Sequence, residues 1–496
     1  MPLERIDLAP DLSISRLLTG LWQIADMERG GAALDPEKTA AAMRPYLEAG
    51  LTSFDMADHY GSSEVIAGRL RASLPEPRRV QLLTKWVPEP GRATRDQVRE
   101  AVERALERLE VDRIDLLQYH AWRYSDPSWL DHLLWLDELR AEGLIRHLGL
   151  TNFDTEHLAL VLHTGIPVVS NQICFSLLDR RPLNGMTELC AKHGVGILAF
   201  GTVAGGLLTE RWLGAPEPEV DAMDTWSQMK YGRFVQAAGG WEKLQGLLRA
   251  MRSVARRLEV SMANVACRWV LDQPGVGGVI VGARLGRSEH IRDNLRAFEF
   301  QLDAAAREEL DAALVRLDPI PGDSGDEYRT PPFLTASGDL SHHVASFPSP
   351  YPVERVAADR AQALSGTVWE AIAGFARAVR VGNRILVSGT TATHGDRVVG
   401  GSDPGAQATF CLDKIQGAVE SLGGRLEDVV RTRIYIRHAD EWEPVSRAHG
   451  RRFGSIRPAN TLVRADLIGD EYRVEMEAEA VIGEASPDLE DAPGPE

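Results

Sequence analysis

The sequence predicts an α/β protein in two parts: a (β/α)8 barrel followed by a small α+β domain. Three observations predict this. Between about residues 15 and 300, eight short β-branched or apolar runs alternate with helical stretches. Near residue 366 the rhythm changes to hairpin-type and alternating strands. The chain of 496 residues also exceeds one domain at roughly 100–200 residues each. Eight βα repeats over that length fit a closed barrel better than an open sheet.

In chain order the strand runs are "SRLLTGLWQI", "LTSFDMAD", "VQLLTKWV", "IDLLQYHA", "IRHLGLTN", "PVVSNQICF", "GVGILAFG" and "GGVIVGA". Helical stretches between them include 36–49, 95–109, 129–142 and 288–297. Asp35 is an N-cap with Pro36 as first helical residue, a placement that suits both side chains. "TRDQVREAVERALERL" lines Val98, Val102, Ala105 and Leu109 along one helix face.

The barrel is expected over 1–317. Residues 318–352 form a Pro-, Gly- and Ser-rich linker too long for a structureless loop, so part of it is expected over the barrel mouth. The α+β domain is expected over 353–484. There "FARAVRVGNRILVSGTTA" reads as a hairpin, "GAQATFCLDKIQGAVESLGG" as a helix ended by glycines, "VVRTRIYI" as a strand and "EPVSRAHGRRFG" as a helix. "ANTLVRADLI" and "YRVEMEAEAVI" close a ββαβαββ-like order. The tail from 485 to 496 is acidic and reads as disordered.

The net charge of −17 argues against nucleic-acid and anionic-membrane surfaces, which demand a positive field. No apolar run nears the ~20 residues of a membrane helix, and the opening stretch lacks a signal-peptide h-region. The four cysteines are far apart and match no metal or redox spacing. They read as buried reduced thiols of a cytoplasmic protein. No metal site is expected.

In such barrels the active groups sit at the C-terminal strand ends. The polar residues there are Asp55 with Tyr60 just after it, Lys85, His120, Thr151 with Asn152, Gln172, and the Phe200-Gly201 turn. A phenol titrates near pH 10 in water, and an ammonium within ~4–6 Å lowers that value. Lys85 is placed for this role, Asp55 for holding Lys85, and His120 for orienting a substrate oxygen. Asp58 reads as a loop carboxylate. Trp22, Trp86 and Trp122 also follow strand runs and read as pocket walls.

These residues resemble the aldo-keto reductase family over about 10–340. The family's Asp, Tyr, Lys and His correspond to Asp55, Tyr60, Lys85 and His120, with Asp and Tyr five apart as in the family. The resemblance implies a TIM barrel that transfers a hydride between a nicotinamide and a carbonyl or alcohol, with Tyr60 as general acid. It implies that Thr151, Asn152 and Gln172 hold the carboxamide, that Phe200 and Gly201 lie against the nicotinamide ring, and that Arg284, Arg287 and Asn294 meet the adenosine half. His290 stands where the family usually has an arginine, and NADP is expected over NAD. A Rossmann reading fails, because "GVGGVI" has Ile280 at the third glycine position. A cofactor-binding sensor with little turnover is the rival reading.

Residues 366–483 resemble the Rid/YjgF family, through "RVGNRILVSGTTA", "GGRLEDVVRTRIYI", "RPANTL" and "RVEMEAEAVI". The resemblance implies a chorismate-mutase-like fold and a homo-oligomer, a trimer or multiple of three. It also implies an intersubunit pocket for an imine or enamine around Phe375, Asn460, Thr461 and Glu475. Asn460 replaces the arginine with which deaminating members clasp a carboxylate, and Asn has no charge for that task. Phe375 stands where that subgroup often has Tyr.

Overall fold

The structure, a computed structural model, describes residues 3–25, 34–283, 285 and 289–483. A hairpin of β1 (Arg5–Ala9) and β2 (Leu12–Ser15) opens the chain. Eight strands follow: β3 (Leu17–Gly20), β4 (Ser53–Asp55), β5 (Gln81–Trp86), β6 (Ile114–His120), β7 (Ile145–Thr151), β8 (Val168–Cys174), β9 (Gly196–Phe200) and β10 (Val276–Gly282). They close into a parallel barrel in the order β10-β3-β4-β5-β6-β7-β8-β9.

The β1–β2 hairpin was not foreseen. Its Leu8, Leu12 and Ile14 pack with Leu18, Leu83, Leu116, Leu198 and Ile280 in one buried cluster. A Cβ on Gly196 would stand 2.4 Å from Leu8 Cδ2, so the bare glycine at the start of β9 lets the hairpin seat there. That seals the N-terminal end of the barrel and leaves chemistry to the other end.

The helix over Arg95–Leu109 follows its sequence signals. Thr94 and Gln97 form a capping box, and Val98, Val102, Ala105 and Leu109 are buried. The stretch expected as one helix from 36 to 49 is instead two, Pro36–Ala42 and Arg44–Glu48. Pro45 has no N–H to offer the carbonyl four residues back, which accounts for the break at Met43. The helix expected over 288–297 spans Glu289–Leu295 among the described residues.

After the last barrel helix the chain as far as Ser346 packs with the barrel. An ion cluster whose Arg181, Asp179 and Glu327 are fully buried pins it. Arg181 Nη2 reaches Asp179 Oδ2 at 2.7 Å and Glu327 Oε2 at 2.9 Å, and Lys230 Nζ lies 3.5 Å from Glu327 Oε1. Arg181 Nη1 also donates to the Asp323 carbonyl at 2.8 Å. Burial works against the Glu327 carboxylate, but Arg181 and Lys230 outweigh it and hold its pKa at about 2.

The second unit carries β11 (Val353–Ala357), β12 (Arg360–Ala363), β13 (Ala378–Val381), β14 (Arg384–Thr391), a minor pair β15 (Thr393–His394) and β16 (Arg397–Val398), then β17 (Val429–Ile436), β18 (Ala459–Arg464) and β19 (Val474–Val481). The main sheet runs β11-β12-β13-β14-β19-β17-β18. β11, β12 and a short helix at Val368–Ala373 extend the expected ββαβαββ order. Long helices at Pro404–Ser421 and Trp442–Phe453 accompany the sheet. Ile385, Val387, Ile434, Ile436, Met476, Ala478 and Ala480 are buried, while Arg384 and Leu386, which alternate with Ile385 and Val387, are exposed. Strand alternation accounts for this two-sidedness.

Glu327→Ala leaves Arg181 and Lys230 without their shared carboxylate, at a cost of about 3–5 kcal/mol for breaking a buried pair. Amide exchange across 322–334 is expected to accelerate relative to the barrel strands. Unchanged exchange there contradicts the anchoring role.

Candidate active site

The parallel register brings the strand-end polar groups to one mouth. Asp55 ends β4, Lys85 lies near the end of β5 beside Gln118 of β6, and His120 pairs across to Thr151, which pairs to Gln172. All are buried. Lys85 Nζ donates to Asp55 Oδ2 at 2.8 Å and to the Met56 carbonyl at 2.7 Å. Asp55 Oδ1 accepts from Gln172 Nε2 at 2.6 Å and from Gln118 Nε2 at 3.3 Å. Gln118 was missed in the sequence, as was the role of Gln172 as a brace for Asp55. Both are inward residues of strands, a position that alternation marks only as buried.

Tyr60 sits in the turn after β4, with Lys85 Nζ 5.1 Å from its ring centre and Trp22 packed edge-on at 4.9 Å. The lowering of the Tyr60 phenol expected from Lys85 is not found: burial, then the neighbouring Asp55 carboxylate, push it well above its ordinary range. Burial also lowers Lys85, opposed by its ion pair with Asp55. Asp58 accepts from the Val87 N–H and meets His59 Nδ1 at 3.1 Å, as a loop carboxylate does.

His120 lies edge-on to Trp122 at 4.5 Å. Its Nδ1 is 3.4 Å from the Thr151 carbonyl and 3.5 Å from Asn152 Nδ2, and its buried Nε2 has no partner among the described residues. Burial, then the charge of Arg329, hold its pKa well below the ordinary imidazole value. Asn152 adopts φ +58°, a conformation Asn tolerates better than most residues. Its backbone is held by Gln172 O at 2.8 Å and Arg329 Nη1 at 2.6 Å, and its buried Oδ1 is likewise without a partner among the described residues.

A cavity of ≈ 440 Å³ collects Asp55, Tyr60, Lys85, His120, Thr151, Asn152, Gln172, Phe200, Gly201 and Asn294. Gly201 has φ +69°, and a Cβ there would stand 2.1 Å from Tyr231 Oη, so only glycine fits. Arg284 and Arg287 lie outside the described residues. Trp22 and Trp122 are cavity walls, but Trp86 is not. It packs against Tyr119 and His132, 5.6 and 5.4 Å away between ring centres. The sequence also missed His59, Trp226, Lys230, Tyr328, His342 and His343, all on the cavity wall. Three of these, Tyr328, His342 and His343, lie in the segment 318–352, which has no strand or barrel-repeat periodicity. Burial and then His59 lower His342 to about 4, so this imidazole is neutral at pH 7. No group of three or more metal-ligating side chains occurs among the described residues.

The second unit does not bring its four candidates together. Asn460 and Thr461 lie on β18 and Glu475 on β19, with β17 between them. Asn460 Nδ2 donates to Thr432 Oγ1 at 2.9 Å, and Thr432 Oγ1 meets His449 Nε2 at 2.9 Å. Arg377 lies 5.9 Å from the Phe375 ring centre and acts electrostatically on Glu475.

The aldo/keto reductase family model matches residues 16–315, and the endoribonuclease L-PSP model matches 366–482. The chain is 30% identical over 298 residues to an oxidoreductase of Bacillus subtilis, covering 57% of this chain and 90% of that one. It is 26% identical over 332 residues to the NADH-specific methylglyoxal reductase of Escherichia coli, covering 62% and 97%. Among solved structures, the glycerol dehydrogenase of Gluconobacter oxydans matches with TM-score 0.51 and 26% identity, covering 65% of this chain and 98% of that one.

The buried His120 ring is expected to stay neutral on acidification. Its imidazole ¹⁵N resonances should show no inflection near the ordinary value of about 6.5. An inflection there contradicts the burial and Arg329 effects described above.

Proposed function

The chain belongs to the aldo/keto reductase family, and from that membership we propose that Tyr60 is the proton donor for its carbonyl reduction. The protein is an NAD(P)-dependent oxidoreductase. The observation that carries the proposal is the convergence of Tyr60, Lys85, Asp55 and His120 on one cavity. When bound, the nicotinamide supplies the hydride. The unpartnered Asn152 Oδ1 fits an amide N–H of its carboxamide, with Thr151 and Gln172 beside it and Phe200 against the ring. Asn294 faces the adenosine half, with NADP as the expected form.

His120 orients the carbonyl oxygen in the tautomer with its proton on Nε2, Nδ1 then accepting from Asn152 Nδ2. Tyr60 gives its proton to that oxygen. Lys85, fixed by Asp55 and Met56 O, stabilises the phenolate left behind. Trp22 and Trp122 supply apolar wall and limit water at the reacting oxygen.

For the second unit we infer self-association as a trimer. Within one chain Asn460 and Glu475 are separated by a whole strand, and the outermost strands β11 and β18 are exposed at every position but Leu462. Assembly would set Asn460 and Thr461 of one copy against Phe375 and Glu475 of the next. With no arginine at 460, such a cleft suits a neutral imine or enamine.

Tyr60→Phe is expected to lower kcat for carbonyl reduction by about 10²–10⁴-fold, the range for removing a general acid, with nicotinamide binding retained. Reduction at wild-type rate overturns the role. Because the phenol is raised above its ordinary value, its protonated form persists through neutral and mildly alkaline pH. Reduction should therefore be level there, while alcohol oxidation, which uses the phenolate, should climb with pH. Opposite slopes contradict this. Light scattering of the full chain is expected to give three times the chain mass, and a monomer overturns the trimer.

A further inference from the structure

The cavity contains a second, half-buried phenol–ammonium pair that the proton-donor role of Tyr60 leaves unused. Lys230 Nζ donates to Tyr328 Oη at 2.7 Å. The Tyr328 ring lies 5.7 Å from the His120 ring and 6.4 Å from Trp122. Tyr328 and Lys230 line the same cavity as Tyr60 and His120.

The pair is built rather than incidental. Glu327, with its side chain 0% exposed, lies 3.5 Å from Lys230 and 2.9 Å from Arg181, which is itself paired to Asp179. Burial opposes the Lys230 charge, yet Tyr328 and Glu327 raise its pKa above the ordinary range. Lys230 is thus a fixed cation. An ammonium has three N–H donors, and its one hydrogen bond among the described residues goes to Tyr328. Since Lys230 donates to the phenol oxygen, the phenol proton is left to another acceptor. No side chain or carbonyl among the described residues receives it. The phenol proton therefore faces the cavity without a protein acceptor among the described residues, beside an ammonium whose other neighbour is Glu327 Oε1 at 3.5 Å.

The ligand chemistry follows from the charge balance. Lys230 and Arg181 are matched by Glu327 and Asp179, so the cluster is neutral and carries no spare positive charge for a carboxylate. A neutral oxygen fits. We propose that Tyr328 and Lys230 form a second oxygen-binding subsite that selects carbonyl substrates carrying a further hydroxyl or carbonyl oxygen next to the one reduced. This rests on the reading that Tyr60 and His120 hold the reacting oxygen. A buried site made to hydrogen-bond an oxygen discriminates against the analogue lacking it, because its donors are then left unpaired.

The test compares lactaldehyde with propanal, and adds glyoxylate as the carboxylate probe, in the full-length enzyme with NADPH. Wild type is expected to favour lactaldehyde in kcat/KM by about tenfold or more, the scale of one net hydrogen bond, with glyoxylate poorer than lactaldehyde. Tyr328→Phe and Lys230→Met should each bring the lactaldehyde-to-propanal ratio close to one, mainly through KM for lactaldehyde. NADPH fluorescence on binding reports that each variant is folded. A ratio that neither variant moves, or a preference for glyoxylate, overturns the subsite alone. A wild-type enzyme that reduces none of the three overturns the Tyr60 and His120 reading as well.

Discussion

The site depends on one buried ion pair, Asp55 with Lys85. Their side chains are only 6% and 5% exposed. Removing two charges from water costs several kcal/mol each, and their attraction offsets this only where the remaining donors and acceptors are satisfied. Here they are. Gln118 and Gln172 brace the carboxylate, and Met56 O takes a further ammonium proton. These contacts come from four consecutive or near-consecutive strands, so the pair is as rigid as the barrel. Tyr60 and His120 are arranged around that fixed centre, in a mouth whose opposite end is sealed by the β1–β2 hairpin.

Much of this was legible in the sequence, for a physical reason. Parallel strands in a barrel end at one rim, so a polar residue closing an apolar run is placed by topology alone. Asp55, Lys85, His120 and Gln172 are such residues. Asp58, three residues from Asp55, lacks that placement and serves the loop. Trp86 shows the limit of the same reasoning: it follows a strand run, yet points into the packing around Tyr119 and His132 rather than the cavity. Likewise Pro45 was visible, but a helix pattern read over 36–49 overrode it.

The unread part of the site lies in segments held by distant contacts. Tyr328 enters the cavity because Glu327 meets Arg181, 146 residues away. No local period encodes such a pairing, and 318–352 has the composition of a linker. The second unit repeats the lesson. Its strands were readable from alternation, but Asn460 and Glu475 are candidates of one pocket that a single chain keeps on separate strands.

The central claim is that Lys85, fixed by Asp55, stabilises the phenolate that Tyr60 becomes on giving up its proton. Single-turnover hydride transfer in Lys85→Met, beside nicotinamide affinity measured on the same protein, tests it most directly. The account predicts a fall of about 10²–10⁴-fold in the transfer rate, as for loss of acid catalysis, with nicotinamide affinity within a few-fold of wild type. A transfer rate equal to wild type would contradict it.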